Sequence, residues 1–165
     1  MSKSPGRKRV LLVEDDPRVM ESLKGIIGRF GTDVEAVEAN DAGKALEILR
    51  SRKKAGMHLD AMILDVMMPY GEAEEELGGE KDRGMDDAGL HLLEMLRQEE
   101  VGKGLDQLWV GVVTARIRHA VLQRIRELIG KRGRLYPKPF STFLLQHHLS
   151  EALGIESRVP PALLP

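Results

Sequence analysis

One stretch, Ala61-Met62-Ile63-Leu64-Asp65-Val66-Met67-Met68-Pro69, restricts the fold more than any other part of the chain. An apolar run drives directly into a carboxylate, and a proline follows four residues beyond it. Short apolar runs bounded by turn residues read as buried strands. An ionised carboxylate isolated in an apolar interior is very costly, so a strand buried on both faces carries one only where it ends. Asp65 is therefore expected at the carboxyl end of a central strand, the edge at which open α/β sheets bind ligands. Standing alone it would read as an ordinary cap of the next helix, so the other segments decide.

Four of them repeat the pattern. Residues 9–13 (RVLLV) form a short apolar strand, followed at once by Glu14-Asp15-Asp16. Pro17 suits the first turn of a helix that Asp16 can cap. Val19, Leu23, Ile26, Ile27 and Phe30 then recur at helical spacing, with Gly31 as the stop. Three consecutive acids exceed what a cap needs, and hard divalent ions such as Mg2+ favour such oxygens. A solvated loop explains the acids equally well. Residues 34–37 (VEAV) alternate as a less buried strand does. Asn40 or Asp41 caps a helix with Ala42, Ala45, Leu46 and Leu49 on one face, and basic residues at 50–54 complement its dipole before Gly56.

After Pro69, residues 70–83 are rich in Glu and Gly with no apolar periodicity, which reads as a mobile acidic loop insertion. Asp87 then caps a helix carrying Leu90, Leu93 and Leu96. Residues 109–113 (WVGVV) are a fourth apolar strand, and Thr114-Ala115 places a hydroxyl at the same edge as Asp65. The helix that follows (Ile117, Val121, Ile125, Leu128) carries the basic cluster Arg116, Arg118, Arg124, Arg126, Lys131, Arg132 and Arg134. Residues 135–140 (LYPKPF) form a fifth strand. Pro137 cannot donate to a ladder, which assigns that strand to a sheet edge. A last helix, capped by Ser141 or Thr142, turns Leu145, Leu149 and Ala152 inward. Strand and helix alternate five times, and each crossover is too long for a hairpin, so the strands are expected to be parallel with right-handed connections. The fold class is a doubly wound α/β sheet with helices on both faces and a polar crevice along one edge.

Composition narrows the function classes. At 165 residues one domain is the default. A net charge of −1 argues against a generic polyanion binder, and the absence of cysteine excludes thiolate chemistry and fits a cytoplasmic protein. No apolar run approaches the length of a spanning helix, so no membrane role is expected. The expected organisation is a basic flexible arm at 1–8, a domain over 9–153 and a loosely held proline-rich tail at 154–165.

Taken in order, the acidic pair Asp15-Asp16, Asp65 with its proline four residues on, Thr114-Ala115 and Lys138-Pro139-Phe140 resemble the receiver domain of two-component response regulators. The resemblance covers residues 9–153. It implies a flavodoxin-like strand order 2-1-3-4-5. It also implies phosphoryl transfer to Asp65 from a sensor histidine kinase or a histidine phosphotransfer protein, with Mg2+ required. Asp16 aligns with the family's direct metal ligand and Asp15 with one acting largely through water; Glu14 is a neighbour. Asp65 and the Met67 backbone carbonyl complete the metal set. Lys138 reaches a phosphoryl oxygen as a point charge, aimed by a cis bond to Pro139. Thr114 donates its hydroxyl once the phosphoryl group is present, and small Ala115 keeps the approach open.

Three departures accompany the matches. Family members commonly carry an aromatic three residues before the lysine; here Leu135 holds that place, and Tyr136, one residue later, belongs to the opposite strand face. The 70–83 insertion lies beside the nucleophile where relatives are short, and its acids could pair with the basic helix within the molecule or across a homodimer. Met67 is apolar and cannot orient an attacking water, which implies a long-lived phosphoryl group. Twelve residues after Leu153 are too few for an output module, so a stand-alone receiver acting on an unknown protein partner is expected, with a phosphorelay intermediate as the alternative. Nucleic-acid binding through residues 116–134 is disfavoured because no aromatics interleave the charges. A phosphatase of the haloacid-dehalogenase type would want a second Asp where Met67 stands. Adjacent His147 and His148 point in different directions on a helix and cannot grip one ion together.

Overall fold

The computed structural model describes residues 6–52, 54–73, 75, 77, 87–115 and 118–164. Strands and helices alternate as β1 (Lys8–Val13), α1 (Pro17–Gly28), β2 (Val34–Ala39), α2 (Ala42–Ser51), β3 (Ala61–Asp65), α3 (Ala88–Arg97), β4 (Trp109–Thr114), α4 (His119–Ile129), β5 (Gly133–Pro137) and α5 (Thr142–Leu153). All strand pairs are parallel, in the order β2-β1-β3-β4-β5. This is the doubly wound, flavodoxin-like sheet expected from the alternation.

Strand pleat divides the core in two. Leu11, Met62, Leu64, Val110 and Val112 face α2, α3 and α4, meeting Leu46, Leu93 and Ile125. Val10, Leu12, Ile63 and Val113 face the other way, meeting Leu23 and Ile26 of α1 and Leu145 and Leu149 of α5. With apolar neighbours on both sides, β3 is buried throughout, whereas the edge strands β2 and β5 are only partly covered. No helix among the described residues is long and apolar enough to cross a membrane.

Caps form where side-chain oxygens precede the helices. Asp16 accepts from Arg18 N at 2.8 Å, Asp41 from Lys44 N at 2.7 Å and Ser141 from Leu144 N at 3.2 Å. Asp87 is the exception. It precedes α3 but makes no capping bond, because its carboxylate is taken by the hydroxyl of Tyr70.

Three expectations need correction, and a fourth meets the structure only in part. β1 begins at Lys8, whose Nζ lies 3.1 Å from Asp60 Oδ1 while the Arg9 amide donates to Asp60 Oδ2 at 2.9 Å; two bonds to a buried-side carboxylate extend the strand into the basic arm. β5 starts at Gly133 and ends before Lys138, since a Cβ at Gly133 would stand 2.2 Å from Val110 O and only glycine permits that approach. The tail is docked. Val159 is buried, Ser157 Oγ lies 3.2 Å from His147 Nδ1, and Arg158 pairs with Asp33 at 3.6 Å. The insertion is likewise anchored where it is described: Leu77 is buried, Tyr70 packs against the α2–α4 side of the core, and the short turn Gly71–Ala73 rests on α2. Its acids Glu74, Glu76, Glu80 and Asp82 lie outside the described residues.

Candidate functional site

Parallel strands deliver their carboxyl ends to one edge, and there the polar residues converge. The Lys138 ammonium, entering from the loop after β5, donates to Asp65 Oδ2 at 2.8 Å and to Glu14 Oε2 at 2.9 Å. The Lys138–Pro139 bond is cis, as the resemblance implies, and the Lys138 amide is held by Thr114 O at 2.6 Å. Asp65 uses its second oxygen to accept from the Met67 amide at 2.8 Å. Thr114 follows Val113, the register partner of Asp65. Its Oγ1 is buried and has no hydrogen-bond partner among the described residues. A buried hydroxyl without a partner costs about 1–3 kcal/mol, and such groups in native structures want an explanation.

The carboxylates are sorted differently from the sequence-based assignment. Glu14, Asp15 and Asp65 each place a ligand oxygen within 4.8 Å of the others. Asp16 is not among them. Pro17 opens α1, so residue 16 is the cap: Asp16 Oδ1 accepts from Arg18 N, and the Arg18 guanidinium lies 3.9 Å from the same oxygen. Glu14 prolongs β1 instead: its amide donates to Ala39 O at 3.1 Å, and its side chain is buried. Glu14, set aside as a neighbour in the sequence-based assignment, thus stands with Asp15 and Asp65 in the cluster. The signal was present, since a proline at the first helical position commits the preceding residue to capping.

The electrostatics follow from this packing. Burial pushes the Glu14 carboxyl above its ordinary value, and the nearby Asp65 adds to that, while the Lys138 hydrogen bond opposes. For Lys138 burial works against the charge, but the bonds to Asp65 and Glu14 outweigh it, and its pKa rises. Two buried carboxylates against one ammonium leave an excess of negative charge at the edge, with exposed Asp15 alongside.

Other candidates fall elsewhere. Arg116 is outside the described residues. In the rest of the basic cluster, Arg124 pairs with Glu94 at 2.8 Å and Glu127 at 3.6 Å, and Arg132 with Asp106 at 3.7 Å. These acids come from the helical layer and not from the insertion. Leu135 packs with the α4 side of the core and Tyr136 with the α5 side, as opposite strand faces require. A groove of about 810 Å³, lined by Asn40, Lys44, Glu47, Arg50, Lys54 and Glu72, runs along α2 and does not include the carboxylate cluster.

No family model matches the chain. It is 33% identical over 153 residues to the response regulator MprA of Mycobacterium tuberculosis, covering 93% of this chain and 52% of that protein. The chain thus spans about half the length of the curated relatives it matches. Among solved structures it resembles a CheY-like response regulator receiver domain protein of Methanospirillum hungatei (TM-score 0.63, 21% identity, 90% of this chain and 95% of the other). It also resembles a response regulator of Chloroflexus aurantiacus (TM-score 0.63, 22% identity, 90% and 98%). With its fold, its converging edge residues and these relatives, the chain belongs to the response regulator receiver family.

Proposed function

We propose that this receiver is a phosphorylation-activated switch that takes a phosphoryl group onto Asp65 from a phosphohistidine of a sensor kinase or phosphotransfer protein. The observation that supports this most is the Lys138 ammonium bridging Asp65 and Glu14. In the transfer an Asp65 oxygen attacks phosphorus, the P–N bond breaks, and the imidazole of the donor keeps the electron pair. Such transfer is chiefly a matter of positioning and charge neutralisation. Lys138 holds the nucleophile in place and then meets a phosphoryl oxygen, and the orphaned Thr114 hydroxyl gains an acceptor.

The donor set fits Mg2+. Glu14, Asp15 and Asp65 offer three hard oxygens within 4.8 Å of one another, with the Met67 carbonyl as a fourth ligand by family resemblance. The ion supplies neutralisation of phosphoryl charge. Met67 offers no polar side chain to orient a hydrolytic water, so the phosphoryl group is expected to persist; a half-life of seconds in the purified protein would contradict this.

The test is incubation with acetyl phosphate, with and without Mg2+, followed by intact mass. One phosphoryl group should appear in the presence of Mg2+ and not in Asp65→Asn. Unchanged mass in the wild type would overturn the reading.

A further inference from the structure

We propose that Tyr70 is a positioning residue for the acceptor loop, clasping the segment that runs from Asp65 to the start of α3. Tyr70 directly follows Pro69, where the insertion leaves the sheet edge. Its hydroxyl meets the Asp87 carboxylate and lies 2.8 Å from His91 Nδ1. A carboxylate only accepts, so the single Tyr70 proton goes to Asp87, and the His91 Nδ1–H donates to the tyrosine oxygen.

Asp87 precedes the first turn of α3, and on the same turn Gly89 touches the backbone of the nucleophile. A Cβ at Gly89 would stand 2.1 Å from Asp65 O and 2.5 Å from Val66 Cα. The chain therefore closes a ring: from Asp65 through Met67 to Tyr70, across the hydroxyl to Asp87, along to Gly89, and back onto Asp65. Inside that ring the Met67 amide donates to Asp65 Oδ1 at 2.8 Å. This bond fixes the rotamer of the nucleophile and places the Met67 carbonyl.

On the other side of Tyr70, Gly71 adopts a left-handed backbone (φ 66°) and lies so close to Asp41 that a Cβ would be 2.7 Å from its Cγ. The turn Gly71–Ala73 thus leads the chain away from Tyr70 over α2. The helix-cap bond that Asp87 forgoes shows which use of the carboxylate the fold prefers. Nothing in the acceptor chemistry itself requires a hydroxyl at this place.

The inference rests on the phosphoryl reading above, and the experiment separates the two. Tyr70→Phe keeps the ring and loses the clasp. Three quantities are compared with wild type in the full chain: hydrogen exchange of the Met67 amide without metal, Mg2+ affinity by calorimetry without phosphodonor, and labelling by acetyl phosphate. A hydrogen bond of ordinary net strength corresponds to about a fivefold change in an equilibrium constant, so about fivefold faster Met67 exchange and about fivefold weaker Mg2+ binding are expected. Labelling should slow at low Mg2+ and recover at saturating Mg2+. Asp87→Ala should reproduce these changes, while Asp87→Asn, which retains an accepting oxygen, should restore most of the loss. Unchanged exchange and unchanged Mg2+ affinity in both Tyr70→Phe and Asp87→Ala overturn the clasp, whatever the labelling shows. Raised exchange in a protein whose wild type takes no phosphoryl group would uphold the clasp and overturn the function it was assigned to serve.

Discussion

Each of the chain's two tyrosines sets its hydroxyl 2.8 Å from the Nδ1 of a histidine, yet the pairs live in opposite surroundings. Tyr136 is buried in the α1–α5 half of the core among Val113, Leu145 and Leu149, and its hydroxyl pairs with His148 on α5. Burial holds the Tyr136 phenol well above its usual range, so it stays a donor. Burial, then Arg134 and His147, depress His148, which accepts as a neutral ring although Glu151 pulls the other way. Tyr70 is only half-buried, shares its hydroxyl with a carboxylate, and sits on the loop leaving Asp65. The same donor–ring contact thus serves packing in one place and loop geometry in the other. What surrounds a hydrogen bond decides what its loss costs.

Substitutions can break that contrast, beginning with the largest. Tyr136→Ala empties a core site and should cost about 3–5 kcal/mol in urea unfolding, against about 1–2 kcal/mol for Tyr70→Ala, whose ring is partly wet. Equal losses would show that both tyrosines are core residues. Gly89→Ala attacks the other jaw of the clasp. Its methyl group meets the Asp65 and Val66 backbone, so about 1–3 kcal/mol of overpacking is expected, together with impaired acyl phosphate formation. Tyr136→Phe should cost about 1 kcal/mol by stranding His148 while leaving phosphoryl uptake unchanged. Tyr70→Phe should show the reverse pattern.

The smallest expected effect is the pH dependence that His148 contributes. Folding depresses the His148 pKa, so its contribution is fully present above the unfolded value of about 6.5 and is lost as pH falls from there towards the folded value. Urea midpoints at about pH 7.5 and about pH 5.5 should differ more in wild type than in His148→Asn. An unchanged difference would place the pH sensitivity elsewhere.

Most of the sheet was legible because each strand is an apolar run cut off by a polar residue. That rule located Asp65 and Thr114 and assigned β5 to an edge through Pro137. Lys138 was legible only through the ordered set, since a lone lysine after a strand says nothing. Among three adjacent acids the sequence did not single out the two that join Asp65 in the cluster. Which of Glu14, Asp15 and Asp16 turns inward depends on where the strand ends and the helix begins, and a one-residue shift reassigns every side chain. The clasp was not legible. Tyr70 meets residues 17 and 21 positions away, across a segment whose composition suggested only a loop. The tail was misjudged for a similar reason: Ser157 and Arg158 find partners on α5 and after α1 that only tertiary packing supplies.

The most direct measurement is chemical mapping of the acyl phosphate. After treatment with acetyl phosphate and Mg2+, borohydride reduction converts a phosphorylated aspartate to homoserine, and peptide mass spectrometry locates it. Homoserine at residue 65 alone, absent when Mg2+ is chelated, is the expected result. Reduction at Glu14 or Asp15, or none at all in Mg2+-treated protein, would contradict a buried edge built around Asp65 as nucleophile.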